Sequence, residues 1–538
     1  MFVSYDIKGI QHAIFSVPKL KCIAGTSSLV TDFDENEIPE ITAQHDGQVI
    51  FSGGGKGVVR IPDSTDKSAF VTDIVSAAHR WGLDVRIGCD DQSVLNATQN
   101  ASQLFPFIPE TLEGEPCSLS GLWPVVPDEN GRVGIHPVIQ RRISAARDDS
   151  LGKSLIQNIL DHPDVTPDLA TYDLTFFSNI NPDSDLYDNE FKEASCGRAS
   201  LGDRNRWAVI ALDGNDVGRH LRAFFTARER DPWEDRELTD WLIAMSDALK
   251  ECTRRAVVNG LVKSLNRWHA SITANDTLDR CIYHDDTSNK PRLVLPFRPL
   301  ILGGDDAVIL CNSNLAFEFI TDVISDFSSL ASQYHGKSNV GPIWLATDGQ
   351  LTMSGGILYC SASYPLHSAI EYAESLLASA KGAFRTNVDS GVATPAAIDW
   401  ENVTESFIDT PSERRNRELR FTDREIDREI ILTHRPYALE HSEQAPSINA
   451  LMEAKQQLGN LPRSVLSAVL PALKQPWSGR LMFTTSIAKR HKCLADYLWE
   501  SGDCLGSGWS EDTSATPHRR QSMIPDAIML LEEEHRST

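Results

Sequence analysis

The sequence predicts an α+β fold: two ferredoxin-like (βαββαβ) units, a connecting region and a C-terminal helical domain. Three observations predict it. The first is internal similarity. Val49-Ile50-Phe51-Ser52-Gly53-Gly54-Gly55-Lys56-Gly57-Val58-Val59 and Leu300-Ile301-Leu302-Gly303-Gly304-Asp305-Asp306-Ala307-Val308-Ile309-Leu310 share one pattern. Each is an apolar run, a Gly-Gly pair, two variable residues and a second apolar run. Each reads as a hairpin whose turn is set by glycines that tolerate positive φ. The second observation lies upstream of each hairpin. Val3 to Gly9 and Ala208 to Asp216 are short strands that run into an Asp and a turn, with helix-compatible sequence after them. The third lies downstream. An amphipathic stretch (Ser68 to His79, Leu315 to Tyr334) is followed by a strand (Asp84 to Ile87, Leu351 to Cys360). The order β-α-β-β-α-β therefore occurs twice, which is the split βαβ arrangement. Its sheet is antiparallel in part, with helices expected on one face.

The units have different sizes. Residues 1–105 form the first and 201–402 the second. The second gains a long helix from Trp233 to Arg267, a Pro- and charge-rich connector from Asp285 to Pro299, and a helix from Pro365 to Lys381. In that last helix Glu371, Ala373, Leu376, Leu377 and Ala380 fall at helical spacing. Residues 106–200 connect the units and read as irregular, because Pro, Gly and Asp are frequent there. Residues 403–538 read as helical at Thr422 to Leu432, Ser447 to Leu458 and Arg463 to Leu473, with a Gly- and Ser-rich loop from Gly502 to His518.

A chain of 538 residues with 41% apolar and 23% charged residues can fill several cores. Its 75 acidic residues against 51 basic ones give a net charge of −24. Such a chain is not expected to grip free nucleic acid, which needs clustered Lys and Arg. No apolar run reaches the roughly 18 residues of a membrane span, so no membrane partner is expected. The first residues have neither a basic nor an apolar signal region. The ten cysteines have no close-spaced framework and read as reduced thiols, which points to a cytoplasmic protein.

Chemistry concentrates at Gly303-Gly304-Asp305-Asp306, beside the strand that ends in Asp213. Three carboxylates so close are unfavourable unless a cation neutralises them. Hard oxygen ligands suit Mg²⁺, or Mn²⁺, which keeps waters and shares phosphate oxygens. Asp213, Asp305 and Asp306 are therefore the candidate metal ligands and catalytic residues. Along a regular strand Asp305 and Asp306 would face opposite sides. Asp305 is then the firmer ligand, and Asp306 joins if the turn bends it in. The turn Gly214-Asn215-Asp216 precedes a helix, and backbone N–H groups there can cradle a triphosphate. Gly303, Gly304 and Lys381, with Gly53 and Gly54 of the first hairpin, complete the candidate substrate-binding set. Taken alone, each motif is an ordinary turn, and Lys381 an ordinary helix-terminal lysine complementing the macrodipole. In this order within one βαββαβ unit they favour a site. The first unit has Gly55 and Lys56 where the second has Asp305 and Asp306. It keeps Asp6, but one carboxylate is not expected to hold two metals. Lys56 could face a phosphate, although a solvated turn lysine is the commoner case.

These residues carry a resemblance. The chain resembles the large polymerase-like subunit of type III CRISPR effector complexes and stand-alone relatives with the same second palm domain. The matching segments are Asp6 to Phe15, Phe51 to Gly55, Leu212 to Gly218, Gly303 to Asp306, Met353 to Ile357, Ala373 to Leu377 and Ala380-Lys381. The resemblance implies two palm domains face to face, with two ATP molecules between them. It implies synthesis of cyclic oligoadenylate, an antiviral second messenger. A ribose 3′-hydroxyl attacks the α-phosphate of another ATP, and pyrophosphate leaves. It implies CRISPR effector subunits as partners, and guide or target RNA through them.

Two departures qualify this. The first palm begins at the first residue, and neither His45-Asp46 nor His284-Asp285 has the helical surroundings of an HD nuclease, so no DNase activity is expected. Cys117-Ser118-Leu119-Ser120 is half of a CxxC pair, and a structural zinc needs four ligands, so none is expected. Two other functions compete. One is a non-catalytic or RNA-activated scaffold subunit of a CRISPR-type ribonucleoprotein. The other is a GGDEF-like cyclic dinucleotide synthase, from which Asp306-Ala307 departs.

Overall fold

The computed structural model describes residues 1–7, 10–15, 17, 20–91, 94–103, 115–118, 124–125, 134–178, 180, 188–202, 206–228, 235–284, 289–334, 351–384, 394–403, 409–439, 447–501, 504–515 and 517–536. Lys8, Gly9, Leu119, Ser120, Trp233 and Asp285, which entered the sequence reading, lie outside these residues.

The first unit begins with β1 (Phe2–Ile7), followed by helix α1 (Leu20–Asp32). The hairpin is β2 (Gln48–Gly53) and β3 (Lys56–Arg60). Helix α2 (Lys67–Arg80) follows, then β4 (Val85–Asp90) and α3 (Val94–Gln103). Asp66 caps α2 by accepting from the Ser68 and Ala69 amides at 2.9 and 3.3 Å, which satisfies two of the helix's orphan donors. The sheet order is β2-β3-β1-β4 with every pair antiparallel, the order of the split βαβ unit.

The second unit repeats this. Strand β5 (Arg206–Gly214) leads into a short helix (Val217–Arg228) and then the 40-residue α4 (Asp235–Ala274). At 1.5 Å per residue α4 is roughly 60 Å long. The hairpin β6 (Phe297–Gly303) and β7 (Asp306–Asn312) follows, then α5 (Ala316–Ser332) and β8 (Met353–Ser361). Helix α6 (Leu366–Ala383) returns the chain to β9 (Ala397–Asn402). The order is β6-β7-β5-β8-β9, completed by Tyr437–Ala438, and β9 runs parallel to β8. The repeat extends to an irregularity. The ladder slips between Val49 and Phe51 in one hairpin and between Pro299 and Ile301 in the other. Each bulge sits the same distance before its Gly-Gly pair, where it bends and twists the strand.

Helices cover both faces of the sheets, not one. In the first unit Val3, Tyr5 and Ile7 pack with Phe70 and Ile74 of α2, while Phe2 and Val58 face Val94 and Ala97 of α3. In the second, Ile210, Leu212 and Ile309 meet α5, while Val209, Ala211 and Leu310 meet α6. The run Trp207 to Leu212 is buried throughout, as expected of a strand covered on both sides. Helix α6 can lie so close because Gly356 has no side chain. A Cβ there would fall 2.3 Å from the Ala373 carbonyl oxygen and 2.5 Å from the Leu377 nitrogen.

Two other regions differ from expectation. Among the described residues, the connecting region is largely helical (Pro137–Asp148, Ser150–Leu160, Asp188–Ser200). Asp149 breaks the first pair of helices at φ +34° and caps the second by accepting from the Gly152 amide. The C-terminal part keeps its helices, including Ile448–Leu458 and Arg463–Leu473, but adds a four-stranded sheet. Thr422 to Leu432, read as helix, spans a hairpin of Arg420–Asp423 and Arg428–Ile431. Its charges pair across strands, with Arg420 and Arg519 both on Glu429, and Asp427 turns the chain at φ +49°. No helix among the described residues is long and apolar enough to cross a membrane.

Replacing Gly356 by Val should force α6 off the second sheet. The expected loss is about 1–3 kcal/mol, the usual cost of overpacking, read as a lower denaturant midpoint with an unchanged slope.

Candidate active site

The second hairpin sets three carboxylates beside one another. Asp306 is the register partner of Asp213 across the β7–β5 ladder, and Gly303 pairs with Asp306 across the turn. Residues directly opposite in an antiparallel ladder share a face, so Asp213 and Asp306 point the same way. Strand alternation alone favoured Asp305, but register brings in Asp306. Asp305 reaches the same place from the turn. Its carbonyl accepts from the Gly214 amide at 3.1 Å, and its Oδ2 lies 2.9 Å from where a Gly214 Cβ would stand. Its carboxyl lies close enough to that of Asp213 for the latter to raise its proton affinity.

The electrostatics follow from this crowding. Burial first, then the charge of Asp213, pushes Asp305 up to about 7, against the opposing pull of Lys381. Burial, Asp305 and Asp213 push Asp306 up to about 7 as well, and Glu374 of α6 adds to it. Lys381, in the last turn of α6, donates to Asp213 Oδ2 at 2.5 Å and to the Gly214 carbonyl at 2.7 Å. Among the described residues, no three carboxylate, imidazole or thiol groups already converge tightly enough to hold a metal. The trio would have to close by side-chain rotation. Its donor set, all oxygen and short of positive charge, is the kind that suits Mg²⁺.

The turn after β5 is held by its own side chains. Asn215 donates to Thr352 Oγ1 at 2.7 Å and to the Pro395 carbonyl at 3.3 Å. Asp216, at φ +58°, accepts from Thr394 and pairs with Arg219 at 2.9 Å. These side chains shape the turn, and its backbone is engaged as well: the Gly214 amide donates to the Asp305 carbonyl and the Asn215 amide to the Thr352 carbonyl at 2.8 Å, so neither amide is free to cradle a phosphate as the sequence suggested.

The first hairpin is the charge-altered copy. Lys56 stands opposite Asp6, as Asp306 stands opposite Asp213, and the two approach to 3.6 Å. The two hairpin tips meet. A Cβ on Gly303 would lie 3.2 Å from the Gly54 nitrogen and 3.3 Å from its Cα, a tight contact that a side chain would have to push back by a few tenths of an ångström. Beside it opens a cavity of 560 Å³, lined by Ser52, Gly53, Gly54, Gly303, Gly304 and Asp306, with Lys250 and Arg254 of α4 along one side. That volume is within the range of small-molecule sites.

Sequence reasoning missed three residues here. Asp34, in a π-helical turn (Phe33–Glu37), is buried. It accepts from the Gly55 amide at 2.7 Å and the Tyr5 hydroxyl at 2.8 Å, and burial pushes it up to about 6. Ser52 Oγ donates to the Asp34 carbonyl, and Lys250 to that of Ser52. Asp34 sits in an acidic run that reads as a solvated face. Its only signal is its place four residues after Val30, on the apolar stripe. Glu374 lies seven residues before Lys381, on the same helix face. Elsewhere, His45 pairs with Asp73 at 2.9 Å, and the Cys117 sulfur accepts from the His136 amide at 3.3 Å.

A split βαβ sheet with a Gly-Gly-Asp-Asp hairpin beside a strand-terminal Asp defines a palm-type unit. Residues 206–388 match the family model of the Cas10/Cmr2 second palm domain, the relative to which the motifs pointed. Solved structures of the Csm1–Csm4 cassette in complex with cA4 and without ligand overlap 99% of this chain and 69% of theirs, at 14% identity and TM-scores of 0.46 and 0.45. Csm1 of T. onnurineus overlaps the same shares at 12% identity and a TM-score of 0.44. At such identities and scores these overlaps determine nothing about chemistry. No curated protein matches the chain.

The carboxyl shifts fix a pH dependence. Asp305, Asp306 and Asp34 hold protons more tightly folded than unfolded, so their contribution is full below about pH 4 and is lost as pH rises through about 6–7. Asp306→Asn should therefore raise the unfolding temperature at pH 8, by roughly 2 °C or more, and leave it unchanged at pH 4. Asp34→Ala removes the acceptor of two buried donors. It should cost about 1–3 kcal/mol and speed amide exchange at Gly55.

Proposed function

We propose that this chain is a Mg²⁺- or Mn²⁺-dependent nucleotidyltransferase that joins ATP into cyclic oligoadenylate. The observation that carries the reading is the pairing of Asp213 with Asp306, and the packing of Asp305 against both, inside the segment that matches the Cas10/Cmr2 second palm. Unused carboxylate clusters are destabilising, so the trio argues for a cation-binding role over a vestigial one.

Asp213, Asp305 and Asp306 would hold the metal. When bound, it supplies positive charge to a triphosphate and to the hydroxyl that attacks it. The chain's own residues do the rest. The backbone at Gly304 has no side chain within 4 Å of where a Cβ would stand, which leaves room there for a phosphate. The Gly53-Gly54 tip closes the other side and positions the second nucleotide. The 3′-hydroxyl of one nucleotide then attacks the α-phosphate of the other, a P–O bond forms, and pyrophosphate leaves. The first unit, with Lys56 paired to Asp6, binds but does not catalyse. The choice of adenine and of a cyclic product follows from the resemblance, as do CRISPR effector subunits as partners, RNA through them, and a cytoplasmic site of action. The domain limits 1–105, 106–200, 201–402 and 403–538 belong to the same proposal.

Incubation of the purified protein with each nucleoside triphosphate and Mg²⁺ or Mn²⁺, with and without co-purifying RNA, should yield ATP-derived oligomers by mass spectrometry. Asp305→Ala and Asp306→Ala should each lower the rate by about 100-fold or more, in line with loss of a group that stabilises transition-state charge. Unchanged synthesis in either variant, or no oligomer under any condition, would sink the reading. RNA or partner protein co-purifying with an inactive chain would favour the scaffold.

A further inference from the structure

We infer that Lys381 is an exchangeable counterion of the acidic hairpin. Its ammonium holds Asp213 until a divalent cation takes that carboxylate, and the freed ammonium moves to the phosphates of the incoming nucleotide. The inference rests on the metal-dependent reading above and assigns Lys381 a role within it.

The geometry points there. Lys381 Nζ is 2.5 Å from Asp213 Oδ2 and 2.7 Å from the Gly214 carbonyl, the two groups at the end of β5. A divalent cation on Asp213 would meet a positive charge already seated there. Keeping both on one carboxylate would set two positive charges a few ångströms apart, which is unfavourable in a partly desolvated site. The lysine is able to leave. It stands near the end of α6, and the pair is open to water, with side chains 26% and 39% exposed. Its stem is flexible and its ammonium is a point charge that accepts new partners without a fixed geometry. Arg219, the neighbouring cation, is engaged by Asp216 at 2.9 Å and does not share this position.

Competition for Asp213 has a thermodynamic consequence. Metal alone must displace Lys381 and leave it without its carboxylate. Metal with a triphosphate displaces it onto new anionic partners. Metal and nucleotide should therefore strengthen each other's binding through Lys381, by the same factor in both directions.

The test is Mn²⁺ binding to the full chain at pH 8, read from the electron paramagnetic resonance signal of the free ion. It is run with and without a non-hydrolysable ATP analogue. Lys381→Met and Lys381→Gln should bind Mn²⁺ alone about tenfold more tightly than the parent protein, as removal of an adjacent charge predicts. The enhancement by the analogue should shrink in both. Lys381→Arg, which keeps the charge, should behave as the parent does. Circular dichroism establishes that each variant is folded. Equal or weaker Mn²⁺ binding in both neutral variants overturns the counterion role alone. No Mn²⁺ bound by any form, with or without the analogue, overturns the metal-dependent reading as well.

Discussion

Asp213 and Asp306 are cross-strand neighbours, and the register of the second sheet gives them no room to part. The ladder that opposes them continues through Leu212–Ala307, Ala211–Val308 and Ile210–Ile309, all in the buried core. Sliding the strand by one residue would exchange the side chains packed against α5 for those packed against α6, two sets of different volume. The core therefore fixes the repulsion. Burial of the hydrocarbon side chains holds two carboxylates together that would separate in water, and the turn adds Asp305. What the hairpin tip lacks is positive charge. Lys381 supplies one unit of it, which leaves the carboxyls of Asp305 and Asp306 pushed well above their ordinary range.

The first unit applies the same backbone to the opposite end. Its strand order, bulge and hairpin repeat the second, yet Lys56 faces Asp6 and no charge is left over. Its tip is held instead by internal hydrogen bonds. Asp34 binds the Gly55 amide, and Lys250 from the second unit's long helix reaches Ser52. One hairpin is thus electrostatically strained and open to a cation, and the other is neutral and braced. Their contact at Gly54 and Gly303 places the braced tip against the strained one. On the proposed reading a braced wall beside a charged site would help position two reactants, because misplacement by an ångström costs heavily in rate.

Much of this was legible in the chain. The duplicated apolar–Gly-Gly–apolar pattern gave both hairpins, and period-3.6 stretches gave α2, α5 and α6 within a few residues. The failures have physical causes. Thr422 to Leu432 alternates charge and hydrocarbon at spacings compatible with either period, and only its partner strand at Arg519–Ser522 decides for a sheet. The connecting region was read through its Pro, Gly and Asp content, but those residues cap and separate helices there. Asp34 was illegible because a buried acid needs donors that are distant in sequence, Tyr5 and Gly55, and local composition records neither. Asp306 could be placed only with register, a property of the pair of strands and not of one.

The net charge of −24 takes on a local meaning from these placements. An acidic surface repels a free triphosphate at long range, so attraction must come from short-range cations. Around the hairpins Lys381, Lys250 and Arg254 are such cations, and each is already engaged, with Asp213, Ser52 and Ser154 respectively. Against them the cavity wall, which Lys250 and Arg254 also line, carries Asp34, Asp247, Glu251 and Asp306. A bare triphosphate would add negative charge to a wall that already has a surplus. On the proposed reading a metal-bound one would bring its own neutralisation and free Lys381 to complete it. On that reading the acidic wall favours a triphosphate in its metal-bound form, and Asp213, Asp305 and Asp306 are the carboxylates that would hold that metal.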